Sequence, residues 1–84
     1  MNVQYFSVWD KKARSFGQLF PAQTPGSAER SFADNINSPD SMAGKYPDDF
    51  ALFLVFEFDD DSGTIVNKFE PPQLICEASA LKRD

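Results

Sequence analysis

Few residues in this chain of 84 could carry out chemistry, and histidine is absent from it. Histidine is the commonest general base and a frequent transition-metal ligand, so the usual partner of a serine or cysteine nucleophile is missing. The sequence also has no phosphate-binding loop and no metal ligands at a recognised spacing. It therefore predicts a protein that is not an enzyme, with no catalytic residue, no metal site and no cofactor.

The acidic run Asp59-Asp60-Asp61 first suggests a divalent cation. Calcium loops space their oxygen ligands over about twelve residues and close with a bidentate glutamate. Here the aspartates are consecutive and no glutamate follows in register. We interpret the run as a solvated hairpin tip whose charges discourage edge pairing. Glu57 is expected either at the exposed end of its strand or paired with Lys68 across the hairpin.

The one positive cluster consists of Lys11, Lys12 and Arg14, in a polar segment that reads as a hairpin loop. Trp9 and Phe16 flank this loop. In single-stranded nucleic acid complexes, bases stack on aromatic rings while phosphates meet cations. These five residues therefore form a candidate nucleic-acid site. The alternative is a solvated turn whose aromatic side chains belong to the core.

Aromatic residues are frequent, with nine Phe, two Tyr and one Trp. Phe has no polar group and mostly packs in cores, but a domain of this size buries only about 60–65% of the surface of its unfolded chain. The surplus predicts a surface for a partner protein or for a second copy of the chain. Phe53 and Val55, on the second face of the apolar strand at 50–58, are the candidate protein-interface residues.

Net charge, cysteine content and hydrophobicity indicate which partners and which compartment the sequence favours. The formal net charge is -5, so binding to nucleic acid requires a local basic patch on an acidic body. Cys76 is the only cysteine and lies in an apolar stretch, which predicts a buried, unreactive thiol in a reducing, intracellular compartment. The N-terminus does not have the pattern of a signal peptide, and no window approaches the ~20 apolar residues of a membrane span.

Strand and helix periodicities alternate along the N-terminal half. Residues 3–9 and roughly 15–21 follow the two-residue period of strands, and Gly17 is expected at a bulge. Thr24 is the expected N-cap of a helix over about 25–37. The apolar stripe of that helix is Ala28, Phe32 and Ile36.

The C-terminal half begins with residues 38–49, whose Pro, Gly and Asp content predicts a loop. The strongest strand signal follows, with these residues expected on one face: Leu52, Leu54, Phe56 and Phe58. A partner strand is predicted at 64–69, then a corner at Pro71-Pro72, then a short strand at 74–76 for which a helical stripe is the alternative. The order predicts one α+β domain over residues 1–84: a small antiparallel sheet, strand-strand-helix-strand-strand-strand, with one helix packed on one face.

Several segments, in order, also match a known family across most of the chain: Tyr5 to Ala13, Phe16-Gly17, Arg30-Ser31-Phe32, Tyr46 to Phe50, Glu57 to Asp60 and Ser62-Gly63. In these the sequence resembles the small nonstructural protein of gokushoviruses, single-stranded DNA phages of the Microviridae. The resemblance implies a DNA-binding viral protein in the host bacterial cytoplasm, active as replication turns to packaging single-stranded genomes.

Two hypotheses follow. In the first, the protein binds single-stranded DNA through the basic loop and its flanking aromatic residues. In the second, it is a protein-interaction module, either a homo-oligomer or an adaptor for phage replication or capsid proteins, without direct contact to DNA.

Overall fold

A computed structural model describes residues 1–83, in which five strands form one antiparallel sheet. The strands are β1 (Asn2–Asp10), β2 (Ser15–Phe16), β3 (Phe20–Ala22), β4 (Phe50–Asp59) and β5 (Thr64–Glu77). The sheet order is β2-β1-β4-β5, and β3 pairs with β1 on the same side as β2. This topology makes β5 an edge strand along its whole length.

The helices are α1 (Pro25–Ile36), α2 (Met42–Lys45) and α3 (Ala78–Leu81), and a single 3-10 turn spans Pro47–Asp49. The start of α1 is as predicted, because the Thr24 hydroxyl accepts a hydrogen bond from Ser27 N at 3.1 Å. Among the described residues, no helix is both long enough and apolar enough to cross a membrane.

The core lies between one face of the sheet and all three helices. The sheet contributes Phe6, Leu52 and Leu54, and the helices contribute Ala28, Phe32, Ile36, Ala43 and Ala78. Since every helix joins this one cluster, no helix within residues 1–83 covers the opposite face of the sheet. We call that opposite face the open face; its aromatic residues are Tyr5, Trp9, Phe16, Phe53, Phe56 and Phe58.

A bulge in β4 corrects the prediction that four of its residues share one face. Tyr5 pairs with Phe56, but the next residue of β1, Phe6, pairs with Leu54, so Val55 has no partner in β1. One extra residue reverses the alternation of side chains. Leu52 and Leu54 therefore lie in the core, whereas Phe56 and Phe58 lie on the open face against Tyr5.

The second predicted strand is divided into β2 and β3. Between the pairs Trp9–Phe16 and Phe6–Phe20, β1 has two residues and the facing segment has three. The bulge expected at Gly17 is therefore present, and Gly17 N donates a hydrogen bond to Val8 O at 2.9 Å.

Three further expectations were wrong. The segment 38–49 is not only loop, because it contains α2 and the 3-10 turn, and α1 is not the only helix. The chain does not leave the sheet at Pro71-Pro72: β5 continues to Glu77, and residues 69–72 lie opposite Val55 alone. This widening of β5 accommodates both prolines at an edge, where a missing N–H is tolerated.

Candidate nucleic-acid interface

Three of the residues singled out in the sequence form one aromatic cluster on the open face. β2 pairs Phe16 with Trp9, and their ring centroids are 4.8 Å apart. Phe53 of β4 meets the Phe16 ring edge-on at 5.5 Å. Phe16 is 42% exposed, while Trp9 and Phe53 are half-buried. Two sites that the sequence treated separately, the loop aromatics and the interface residue Phe53, are therefore one surface.

Ser7 is a polar residue that lies beside this aromatic cluster. Its side chain is buried, and its hydroxyl donates to Gly17 O at 2.8 Å. A buried hydroxyl without a partner is costly, so this bond favours the path that the chain takes between β2 and β3.

A second aromatic group lies farther along the open face. Tyr5 stacks on Phe56 with centroids 4.9 Å apart and ring planes 11° from parallel, and it meets Phe58 edge-on at 6.1 Å. Both contacts depend on the bulge at Val55, which turns the two phenylalanines to this side. Sequence reasoning missed them because the extra residue leaves no local signal.

The basic loop is held by Asp10 at the end of β1. Asp10 Oδ1 accepts hydrogen bonds from the backbone N–H groups of Lys12 at 3.0 Å and Ala13 at 3.1 Å, and Asp10 O accepts one from Arg14 N at 2.7 Å. Arg14 closes the turn with a φ of 58°. Lys12 and Arg14 are exposed, and neither forms a salt bridge within residues 1–83.

Lys11 differs from its two neighbours. Its Nζ donates to Glu77 Oε1 at 2.7 Å and to Asp48 O at 3.1 Å. The hydrogen bond to Glu77 is the main cause of a raised pKa for Lys11. Glu77 therefore compensates its charge, which leaves Lys12 and Arg14 as the stronger candidates for phosphate contacts.

A cleft of about 580 Å³, which we call the loop cleft, opens between the basic loop and α2. Its lining residues are Asp10, Lys12, Ala13, Met42, Tyr46, Asp49 and Phe50. Met42 is 61% and Tyr46 55% exposed. Of these residues the sequence had placed only Lys12 in a site, because the helix that positions Met42 and Tyr46 was expected to be a loop.

The two predicted interface residues are two positions apart in β4. Phe53 is on the open face, and Val55 is the bulged residue and lines a groove with Phe56, Phe69 and Pro72. The edge strand β5 exposes about half of the side chains of Ile65, Val66 and Leu74.

The acidic run surrounds the N-terminal amine. The Met1 ammonium lies 2.7 Å from Asp61 Oδ2, 3.2 Å from Asp60 Oδ1 and 3.4 Å from Asp59 Oδ1. Its pKa is raised to about 10, chiefly by hydrogen bonds to Asp61 and then Asp60. The three carboxylates are close enough together to hold a metal ion. In this structure an ammonium group lies among them, so the run has a structural explanation.

Glu57 and Cys76 also have defined surroundings. Glu57 pairs with Asn67, whose side-chain amide donates to it at 3.5 Å, rather than with Lys68. Burial, followed by the charges of Glu29 and Glu77, raises the pKa of the Cys76 thiol to about 11. A thiol in this environment is a poor nucleophile near neutral pH.

Comparison with known proteins agrees with the resemblance seen in the sequence. The family model described as Phage ORF5 protein matches residues 3–81. Protein ORF5 of Chlamydia phage 1, a gokushovirus, is 39% identical over 67 residues, which cover 75% of this chain and 70% of that protein. No solved structure matches the chain. The chain belongs to the Phage ORF5 protein family of these bacterial viruses.

Proposed function

We propose that this viral protein is a non-enzymatic binder of single-stranded DNA in the cytoplasm of the host bacterium. Trp9, Phe16 and Phe53 provide a stacking surface, and Lys12 and Arg14 contact phosphates. The observation that supports this most is the position of the aromatic cluster beside the basic loop, on a face of the sheet that the helices leave uncovered.

Stacking supplies affinity that hardly depends on sequence. Each base stacked on an aromatic side chain contributes about 1–3 kcal/mol as measured by alanine substitution. Tyr5 and Trp9 are four residues apart on β1, and at ~3.3 Å per residue this separates the two aromatic groups by roughly 13 Å. One extended strand of DNA can therefore reach both groups.

The distribution of charge sets the position of the DNA on the open face. The carboxylates of Asp59, Asp60 and Asp61 lie at the β4–β5 turn, remote from the basic loop, and repel phosphates. Lys12 and Arg14 lie at the opposite end of β1 from Met1 and its acidic partners. We therefore expect the strongest binding at the loop end of the open face, despite the net charge of -5.

The test is a fluorescence titration with oligo-dT, because Trp9 is the only tryptophan and lies in the cluster. We expect binding at low salt that changes the emission of Trp9. Single-stranded DNA gives a slope of about -0.7 in log K against log salt for each neutralised phosphate, so two contacts predict about -1.4.

The variant Lys12→Ala/Arg14→Ala is expected to weaken binding and flatten the salt slope. Its control is Arg30→Ala/Arg83→Ala, which removes the same charge from exposed positions on α1 and after α3. Absence of binding at low salt, or equal loss in both double variants, contradicts the proposal.

A protein-interaction role is the second candidate, and β5 supports it. An edge strand with exposed Ile65, Val66 and Leu74 can pair with another strand, either of a second copy or of a phage replication or capsid protein. A dimer would also double the basic loops and increase avidity for DNA. Light scattering tests the homo-oligomer: we expect a dimer that Val66→Lys dissociates, whereas a monomer at all concentrations rules out self-association.

A further inference from the structure

We propose that the loop cleft binds one nucleobase that carries an exocyclic amino group, as cytosine and adenine do and thymine does not. This inference rests on the proposed binding of single-stranded DNA and assigns it a base preference that stacking alone does not provide. It is carried by the cleft itself, whose lining combines an aromatic side chain, carboxylates and a cation.

The size and the apolar part of the cleft suit a flat ring. Its volume of about 580 Å³ lies within the ~300–1,000 Å³ of small-molecule sites. Tyr46 and Met42 line the cleft, and more than half of the surface of each residue is exposed. Both side chains are therefore accessible to a ligand. A phenol ring offers a stacking surface and a thioether adapts to the edge of an aromatic ring. This part of the lining favours an aromatic ligand.

The polar part of the cleft selects among aromatic ligands. Asp10 and Asp49 both line it. Asp10 Oδ1 is occupied by the backbone of the basic loop, but its second oxygen and the Asp49 carboxylate accept no hydrogen bond from residues 1–83. Carboxylates accept from the N4 amino group of cytosine, and the N6 amino group of adenine is an equivalent donor. Thymine presents a carbonyl oxygen at that position, which a carboxylate repels.

Lys12 connects the cleft to a nucleic-acid backbone. Its side chain lines the cleft, is exposed and forms no ion pair within the described part of the chain. A base that enters between Tyr46 and the loop brings its own phosphate towards this ammonium group. A single nucleotide thus interacts with both kinds of charged group in the cleft: its amino group donates to a carboxylate, and its phosphate pairs with Lys12.

The experiment compares oligo-dT with the same oligonucleotide carrying one central dC, by fluorescence anisotropy. A side-chain contact that discriminates between bases changes affinity roughly tenfold. We therefore expect the single dC to bind about tenfold more tightly to the unmodified protein. Asp49→Asn removes a negative charge beside Lys12 and is expected to raise the affinity for both oligonucleotides while abolishing the dC advantage, measured as the ratio of the two affinities in the same variant. Tyr46→Leu is expected to weaken binding of the dC oligonucleotide specifically.

The outcomes separate the inference from the function on which it rests. Equal affinity for the two oligonucleotides overturns the inference and leaves DNA binding in place. Binding of neither oligonucleotide overturns both. A dC advantage that survives both Asp49→Asn and Tyr46→Leu, in variants whose thermal midpoints are unchanged, assigns base selection to another surface and also overturns the inference.

Discussion

Gly44 lies where α2 closely approaches the end of α1, so a side chain at this position has no room. A Cβ built on Gly44 would overlap the carbonyl oxygen of Ile36 and lie 3.1 Å from its carbonyl carbon. Ile36 is fully buried, so its backbone cannot move aside without disturbing the core. We therefore expect Gly44→Ala to force α2 away from α1.

The size of the effect follows from two opposing terms. Overpacking costs typically about 1–3 kcal/mol. Replacing glycine by alanine in a helix interior gains up to about 1 kcal/mol, and less in a one-turn helix such as α2. The overpacking cost exceeds this gain, so we expect the free energy of unfolding to fall by about 2 kcal/mol. For a chain of this length that corresponds to a decrease of roughly 8–16 °C in the thermal midpoint.

The assay is thermal and urea unfolding followed by far-ultraviolet circular dichroism. Gly26→Ala is the matched control, because it lies in the first turn of α1 and its Cβ would have nothing closer than Thr24 Oγ1 at 3.9 Å. We expect the control to be unchanged or slightly stabilised. A Gly44→Ala midpoint equal to that of the control would refute the reasoning. Because α2 positions Met42 and Tyr46, the same variant is also expected to weaken any ligand binding in the loop cleft.

Three further predictions concern titration and charge. The pKa of the Met1 amine is about 10 in the folded chain against 8.0 in the unfolded chain, so its contribution to folding stability is complete below pH 8 and is lost as pH rises through 10. Chemical unfolding between pH 8 and 10 should show this decline in stability, and Asp61→Asn should make the decline smaller. The pKa of the Cys76 thiol is near 11 instead of 9.0, and its higher nucleophilicity offsets part of the loss of thiolate, so at pH 8 it should react with a disulfide reagent roughly tenfold more slowly in the folded than in the urea-unfolded protein. Equal rates would contradict its assigned environment. Glu77→Gln removes the charge that compensates Lys11 and should tighten single-stranded DNA binding at low salt, measured by the Trp9 titration; unchanged affinity would place Lys11 outside the interface.

The sequence alone determined those local structures that are specified by signals within one segment, such as a capping residue or an apolar periodicity. Thr24 and the stripe of Ala28, Phe32 and Ile36 specified α1, because capping and the 3.6-residue period act within one helix. Gly63 follows the acidic run in the hairpin turn and has a φ of 76°, a left-handed conformation that glycine adopts without steric cost. Alternation likewise identified β1, and the ordered segments identified the family.

Tertiary structure decided the register and the contacts between distant residues. The bulge at Val55 places Phe56 and Phe58 on the open face and not on the face that they were expected to share with Leu52 and Leu54, because a strand's faces depend on how its partner pairs with it. The charge of Lys11 is compensated by an ion pair with Glu77, which is 66 residues away in the chain. The loop cleft exists because Gly44 lets α2 approach α1, which brings Tyr46 and Met42 opposite Lys12. Periodicity within a segment follows from its own residues, whereas a site depends on which segments meet, and only the packing of the whole chain determines that.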